Sequence, residues 1–141
     1  MEPIMAEQVP GLLVEAHPWI AEAWAEVAVD NTDADSPGGR LGYLDAGWIV
    51  ARLADRFASG NREDVDALFE LIERLIVEGD DYVSNLGVIG YVEGMQMATV
   101  STRGVDPEEF RPWLRPMSSR YWEAINRFWE SGTPIPDLRP E

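Results

Sequence analysis

A chain of 141 residues with 45% apolar composition is about one ordinary domain, long enough to bury most of the apolar surface that its unfolded form exposes. Asp and Glu total 26 against 11 basic residues, all of them Arg, and the formal charge of −15 argues against nucleic acid or anionic membrane as partners, since both require clustered cations. The absence of Cys excludes a disulfide framework, a thiolate metal site and a cysteine nucleophile.

The opening MEPIMAEQVP has no basic segment followed by an apolar core, so no secretory signal is read there. Residues 3–15 carry a modest apolar face of Ile4, Val9, Leu12 and Leu13. In the next helix Pro18 suits the first turn, and Trp19, Ile20, Ala23, Trp24 and Val27 recur at helical spacing. Residues 30–40, DNTDADSPGGR, read as a loop.

A third helix over about 43–58 is expected to bury Ala46, Ile49, Val50, Leu53 and Phe57. Gly60 ends it, and Asn61 with Asp64 three residues on is read as the capping start of the fourth. There Val65, Leu68, Phe69, Ile72, Leu75 and Ile76 form a wide apolar stripe, with Gly79 as the stop. A fifth helix is expected from Asp80 or Asp81 to about 101. Asp106 and Pro107 start a short element that Pro112 limits, and the last helix spans about 116–130. Met117, Tyr121, Trp122, Ile125, Phe128 and Trp129 are expected on its inner side.

No segment alternates as a strand would. The expected fold is all-α, an irregular helical bundle or short helical-repeat-like array of about six to seven helices. It comprises one domain over 1–131 and a Pro-rich tail over 132–141, the tail extended or mobile. The longest apolar run, LGVIGYV at 86–92, is far short of the roughly 20 residues of a membrane helix. A cytoplasmic location is the expectation.

The fifth helix, YVSNLGVIGYVEGMQMATV, is the most apolar stretch, yet it holds Asn85, Glu93 and Gln96. At 3.6 residues per turn these share one stripe, and Gly87, Gly90, Gly94 and Ala98 lie on another. The small residues suggest a tight crossing and a central position. A buried carboxylate needs a partner or it protonates. Glu93 is therefore expected to pair with Arg52, Arg56, Arg74 or Arg120, with Asn85 and Gln96 completing a polar network. A ligand-binding or enzymatic pocket at the same three residues is the alternative.

Catalytic motifs are absent. There is no phosphate loop, GxSxG or HExxH, and DNTDADSPGG lacks the glycine and terminal Glu of a calcium loop. His17 stands alone before Pro18, which suits a capping or surface role better than a metal site. No metal, no cofactor and no enzymatic role are expected.

The acids form two groups. One is Glu63, Asp66, Glu70, Glu73, Asp80 and Asp81 along and after the fourth helix; the other is Glu22, Glu26, Asp30, Asp33 and Asp35. Crowded like charge lowers stability, and a basic partner relieves it. Tyr43, Trp48 and Trp113 are the candidate aromatic anchors.

The segment VDALFELIERLIVEGDDYVSNLGVIGYVEGMQ carries Ile72, Glu73, Leu75, Ile76, Val77, Gly79, Asp80, Val83, Asn85 and Glu93 in order. It resembles a bacterial family of small all-helical domains of unknown molecular function, found near polymorphic-toxin and contact-dependent competition loci and regarded as immunity proteins. The later Leu114, Pro116, Ser118, Trp122, Phe128 and Trp129 resemble its closing helix, and PGLLVEAHPWI fits more loosely. The departure is at Gly90 and Gly94, where bulkier residues are expected. The resemblance implies an immunity or antitoxin protein that neutralises a cognate basic toxin domain, and it brings no catalytic residues. A helical adaptor for another protein is the alternative.

Overall fold

Seven α-helices follow one another through residues 2–140, which are the residues that the computed structural model describes. They are α1 (Val9–Ala16), α2 (Pro18–Val27), α3 (Gly42–Ala58), α4 (Asp66–Glu78), α5 (Asp81–Asn85), α6 (Ala98–Ser101) and α7 (Pro116–Ser131). Two isolated bridges, Ile4 with Gly79 and Thr32 with Arg40, are the only strand-like pairings among the described residues. The fold is the expected all-α bundle.

The apolar stripes form the core walls. Ala46, Ile49, Val50, Leu53 and Phe57 are buried on α3; Leu68, Phe69, Ile72, Leu75 and Ile76 are buried on α4. Trp19, Ile20, Ala23 and Val27 do the same on α2. Each such large side chain contributes roughly 1.5–3 kcal/mol on burial. That packing stabilises helices too short to hold on propensity alone. Phe57, Phe69, Phe110 and Trp113 close one end of the core, with the Phe57 and Phe110 ring centroids 4.7 Å apart.

His17 separates α1 from α2. Its backbone is extended, and its Nδ1 accepts the Trp19 N–H at 3.3 Å. Its Nε2 lies 3.1 Å from the Asp64 carboxylate, while Trp19 Nε1 donates to the Asp64 carbonyl at 3.0 Å. Asp64 is the one non-glycine residue among those described with left-handed backbone, φ 59°. Contacts from α2 thus hold a conformation that an isolated chain disfavours. The same residue displaces the expected helix start. Asn61 Oδ1 accepts the Glu63 N–H within the turn, and α4 begins only at Asp66, with no side-chain cap.

The fifth helix departs further from expectation. After α5 the chain enters a π-helix, Leu86–Glu93, then a 3₁₀ turn, Gly94–Gln96, and Met97 is extended before α6. A π-helix bonds i to i+5, so its turn is wider than that of the α-helix. Three glycines, each costing roughly 1 kcal/mol of α-helical propensity, weaken the ordinary ladder here. Neighbours press in at two of them. A Cβ on Gly87 would lie 2.7 Å from Ile76 Cγ1 of α4, and one on Gly90 would lie 3.0 Å from Ala46 Cβ of α3. The π-helix packs against α3, α4, α5 and α7, so the expected central position holds.

Glu73 on α4 caps α7: its two carboxylate oxygens accept the N–H groups of Met117 and Ser118, both at 2.8 Å. Tyr121, Trp122 and Ile125 of α7 are buried, but Phe128 and Trp129 are exposed. These two rings pack on each other beyond the part of α7 that meets the core. After Gly132 the tail runs extended and folds back. Ile135 and Leu138 pack against the core.

Candidate functional site

The two acidic groups behave differently. Around α4 most carboxylates are used within the fold. Asp66 pairs with Arg115 at 2.7 Å, Glu73 caps α7, Asp80 caps α5 through the Val83 N–H at 2.8 Å, and Asp81 meets Arg139 at 3.1 Å. Glu63 and Glu70 alone of that group stay exposed with no side-chain partner among the described residues. The sequence reading treated the α4 stripe as free because it could not see which elements return to it.

On α2 and the loop after it the balance reverses. Glu22, Glu26, Asp30 and Asp35 are exposed, and their carboxylates have no ion pair or hydrogen bond among the described residues. Asp33 is the exception. It accepts from Ser36 Oγ at 2.7 Å and from the Asp35 N–H at 3.3 Å, and these bonds hold its carboxyl below the usual carboxylate range.

Beneath that loop lies a network that sequence reasoning missed. Arg40 Nε and Nη2 bond the two oxygens of buried Asp45 at 2.9 and 3.0 Å. Arg40 also donates to the carbonyls of Ala28 at 2.6 Å and Val27 at 3.0 Å at the end of α2, where the Val27 carbonyl accepts the Asp30 N–H as well. Asn31 Nδ2 donates to Asp45 Oδ1 at 2.9 Å, and Trp24 lies under the guanidinium, 4.2 Å from ring centroid to Cζ. The network joins the end of α2, the acidic loop and the start of α3. It fixes the direction in which Asp30 and Asp35 are presented.

A cleft of about 380 Å³ separates α2 from α3. Glu22 and Glu26 form one wall, Arg52, Asp55 and Arg56 the other, and Trp19 lies between them. Arg56 stacks 4.9 Å over Trp19 and donates to the Glu63 carbonyl at 2.8 Å, while Arg52 pairs with Asp55 at 3.2 Å. The Nε atoms of both arginines are buried with no partner. Of the candidate anchors, Tyr43 is exposed, Trp48 lies half-buried under Arg52, and Trp113 packs into the core.

Asn85, Glu93 and Gln96 are not joined by any hydrogen bond among the described residues. Asn85 is exposed beside the tail. Gln96 Nε2 donates to the Trp122 carbonyl at 3.3 Å, while Gln96 Oε1 and Trp122 Nε1 are buried without partners. Glu93 is half-buried and meets none of the expected arginines. Arg52 is engaged with Asp55, Arg56 with the Glu63 carbonyl, Arg74 with Glu78 at 3.2 Å, and Arg120 is exposed. The shared stripe assumed an α-helical turn, and the wider π ladder alters that phase.

Burial without a partner raises the Glu93 pKa above its ordinary value of 4.5. A raised folded-state pKa means the native state binds the proton more tightly, so this group lowers stability as pH climbs above about 4.5. Glu93→Gln is therefore expected to raise the melting temperature at pH 7 and leave it unchanged near pH 4. A drop at pH 7 in a thermal melt would mean that the carboxylate has a stabilising partner.

No cluster of three or more His, Asp or Glu has metal-binding geometry among the described residues, and no described helix is long and apolar enough to cross a membrane. Fold and site thus define a small all-α domain whose most distinctive free surface is acidic. The chain belongs to a family defined as a domain of unknown function, DUF7674, whose model matches residues 10–130. Neither the curated proteins nor the solved structures contain a match to it.

Proposed function

We propose that this chain is a non-catalytic binding protein of the immunity or antitoxin type, which neutralises a basic protein in the cytoplasm by covering it with the acidic face of α2 and its loop. The observation that carries this reading is the unpaired state of Glu22, Glu26, Asp30 and Asp35, set against the internal use of the acids on α4. A field of one sign speeds encounter with a partner of the opposite sign. The cleft between Glu22, Glu26 and Arg56 gives that face relief into which a partner side chain can reach.

Capture from source cells at low and high salt tests the reading, followed by co-expression of the captured protein. The expected result is one basic protein that salt releases, that harms cells when made alone, and that is harmless when made together with this chain. Glu22→Arg combined with Glu26→Arg should slow association at least about tenfold at low salt. Glu73→Gln should leave association unchanged. A partner that harms nothing when expressed alone would make the chain an adaptor instead. Equal binding by the charge-reversed variant would remove the α2 face as the interface.

A further inference from the structure

The arginine wall of the cleft between α2 and α3 is short of acid. Arg52 and Arg103 both pair with Asp55, at 3.2 and 3.1 Å, and Arg56 meets no carboxylate among the described residues. Elsewhere each ion-paired arginine has at least one carboxylate of its own. Three guanidiniums thus stand against one acid on this side of α3, in a chain whose net charge is −15. The Nε atoms of all three are buried without a partner.

The acids that could neutralise this excess are across the cleft and do not reach it. Glu22 and Glu26 lie one turn apart on α2, and Arg52 and Arg56 one turn apart on α3, so each pair lines the cleft from its own helix. No ion pair crosses between the two helices among the described residues, and both glutamates are exposed. Ala23 lies between the glutamates in sequence and lines the cleft with only a methyl group, which leaves the space open. Its volume of about 380 Å³ falls within the range of small-molecule sites, roughly 300–1,000 Å³.

The two walls select by charge. A simple anion is drawn to the arginines but repelled by the glutamates, and a simple cation meets the reverse. A molecule that carries both charges, separated by a stem, is attracted by each wall. Guanidinium groups bind a carboxylate through parallel N–H donors, and a pair of glutamates accepts an ammonium or guanidinium. Carboxylate, alkyl stem and cation follow in that order in a basic amino acid.

We propose that this cleft binds a basic amino acid by both of its charges, free or as the C-terminal residue of a peptide. Its carboxylate lies on Arg52 and Arg56, its side-chain cation on Glu22 and Glu26, and its stem over Ala23. The site shares Glu22 and Glu26 with the proposed interface but needs no protein partner, so it is tested on the isolated chain.

Titration calorimetry of the full chain at low salt, with arginine, agmatine and norvaline as probes, provides the test. Agmatine lacks the carboxylate and norvaline the side-chain cation. Arginine is expected to bind 1:1 and at least about tenfold more tightly than either. Glu26→Gln and Arg52→Gln should each weaken arginine by about tenfold or more, while Glu70→Gln on α4 should not change it. Circular dichroism checks that each variant is folded. The peptide Gly-Gly-Arg and its C-terminal amide separate the two sources. Tighter binding by the free-acid peptide than by arginine assigns the site to a chain terminus, and the reverse order assigns it to the free amino acid. Absence of arginine binding would overturn the proposal, and so would equal binding of agmatine, norvaline or the amide.

Discussion

Asp45→Ala is expected to cost about 3–5 kcal/mol of stability, the largest loss of any single substitution outside the apolar core. The change leaves the Arg40 guanidinium, whose side chain is only 13% exposed, without its carboxylate. It also frees Asn31, which bonds the same Asp45 oxygen. Removing one member of a buried pair leaves a desolvated charge, and that penalty exceeds whatever the intact pair contributes on net. In a domain of this size the melting temperature should fall by roughly 10 °C or more. Asp45→Asn, which keeps shape and one acceptor, should fall between the two. Thermal and urea melts of the three proteins decide the matter, and a loss below about 1 kcal/mol would show that Arg40 is held by the α2 carbonyls alone.

The second large effect is at Glu73, where Glu73→Ala should cost about 2–3 kcal/mol. Two charge-assisted bonds to the first N–H groups of α7 are lost, together with a negative charge at the positive end of that helix. The loss should be evident as earlier melting of α7, with greater hydrogen exchange at Met117 and Ser118. Glu70→Ala, one turn away and exposed, should change stability by less than about 0.5 kcal/mol. Equal effects at the two positions would mean that the Glu73 bonds are not maintained in solution. The comparison also separates the roles of two acids that look alike in sequence.

The legible part of the fold was whatever local periodicity controls. The stripes on α3 and α4 were assigned residue by residue, because a 3.6-residue repeat of large aliphatic side chains has one low-energy arrangement against a shared core. His17 before Pro18 suited a cap or a surface position, of which the cap is found, and the close crossing at Gly90 followed from the spacing of small residues. The failures share one cause, which is dependence on distant chain. Asn61 looked like a cap until Asp64, held left-handed by bonds from α2, delayed the helix start. Glu73 looked like surface charge, but α7 begins on it.

The same dependence governs the candidate site. Net acidity was visible in the composition, but which acids remain free was not, because that depends on where Arg115 and Arg139 come to rest. Asp45 and Arg40 attracted no notice, since an acid in the first turn of a helix is ordinary and the arginine sits in a loop. For Glu93 the reasoning assumed an α-helical phase and therefore chose the wrong neighbours. A run with three glycines among large apolar residues is the signal that could have cautioned against that phase.

The wide ladder at Leu86–Glu93 also bears on how the central element tolerates changes of length. Each i to i+5 ring encloses one residue more than an α-helical ring, so this segment stores surplus chain between flanks that are fixed by packing. Deletion of one residue there can be absorbed by tightening a ring to the ordinary register, with little movement of α5 or of the turn after Glu93. The same deletion inside α4 would rotate Leu75 and Ile76 by about 100° off the core. Of the bundle's helices, the one with the widest ladder is thereby the one best able to lose a residue.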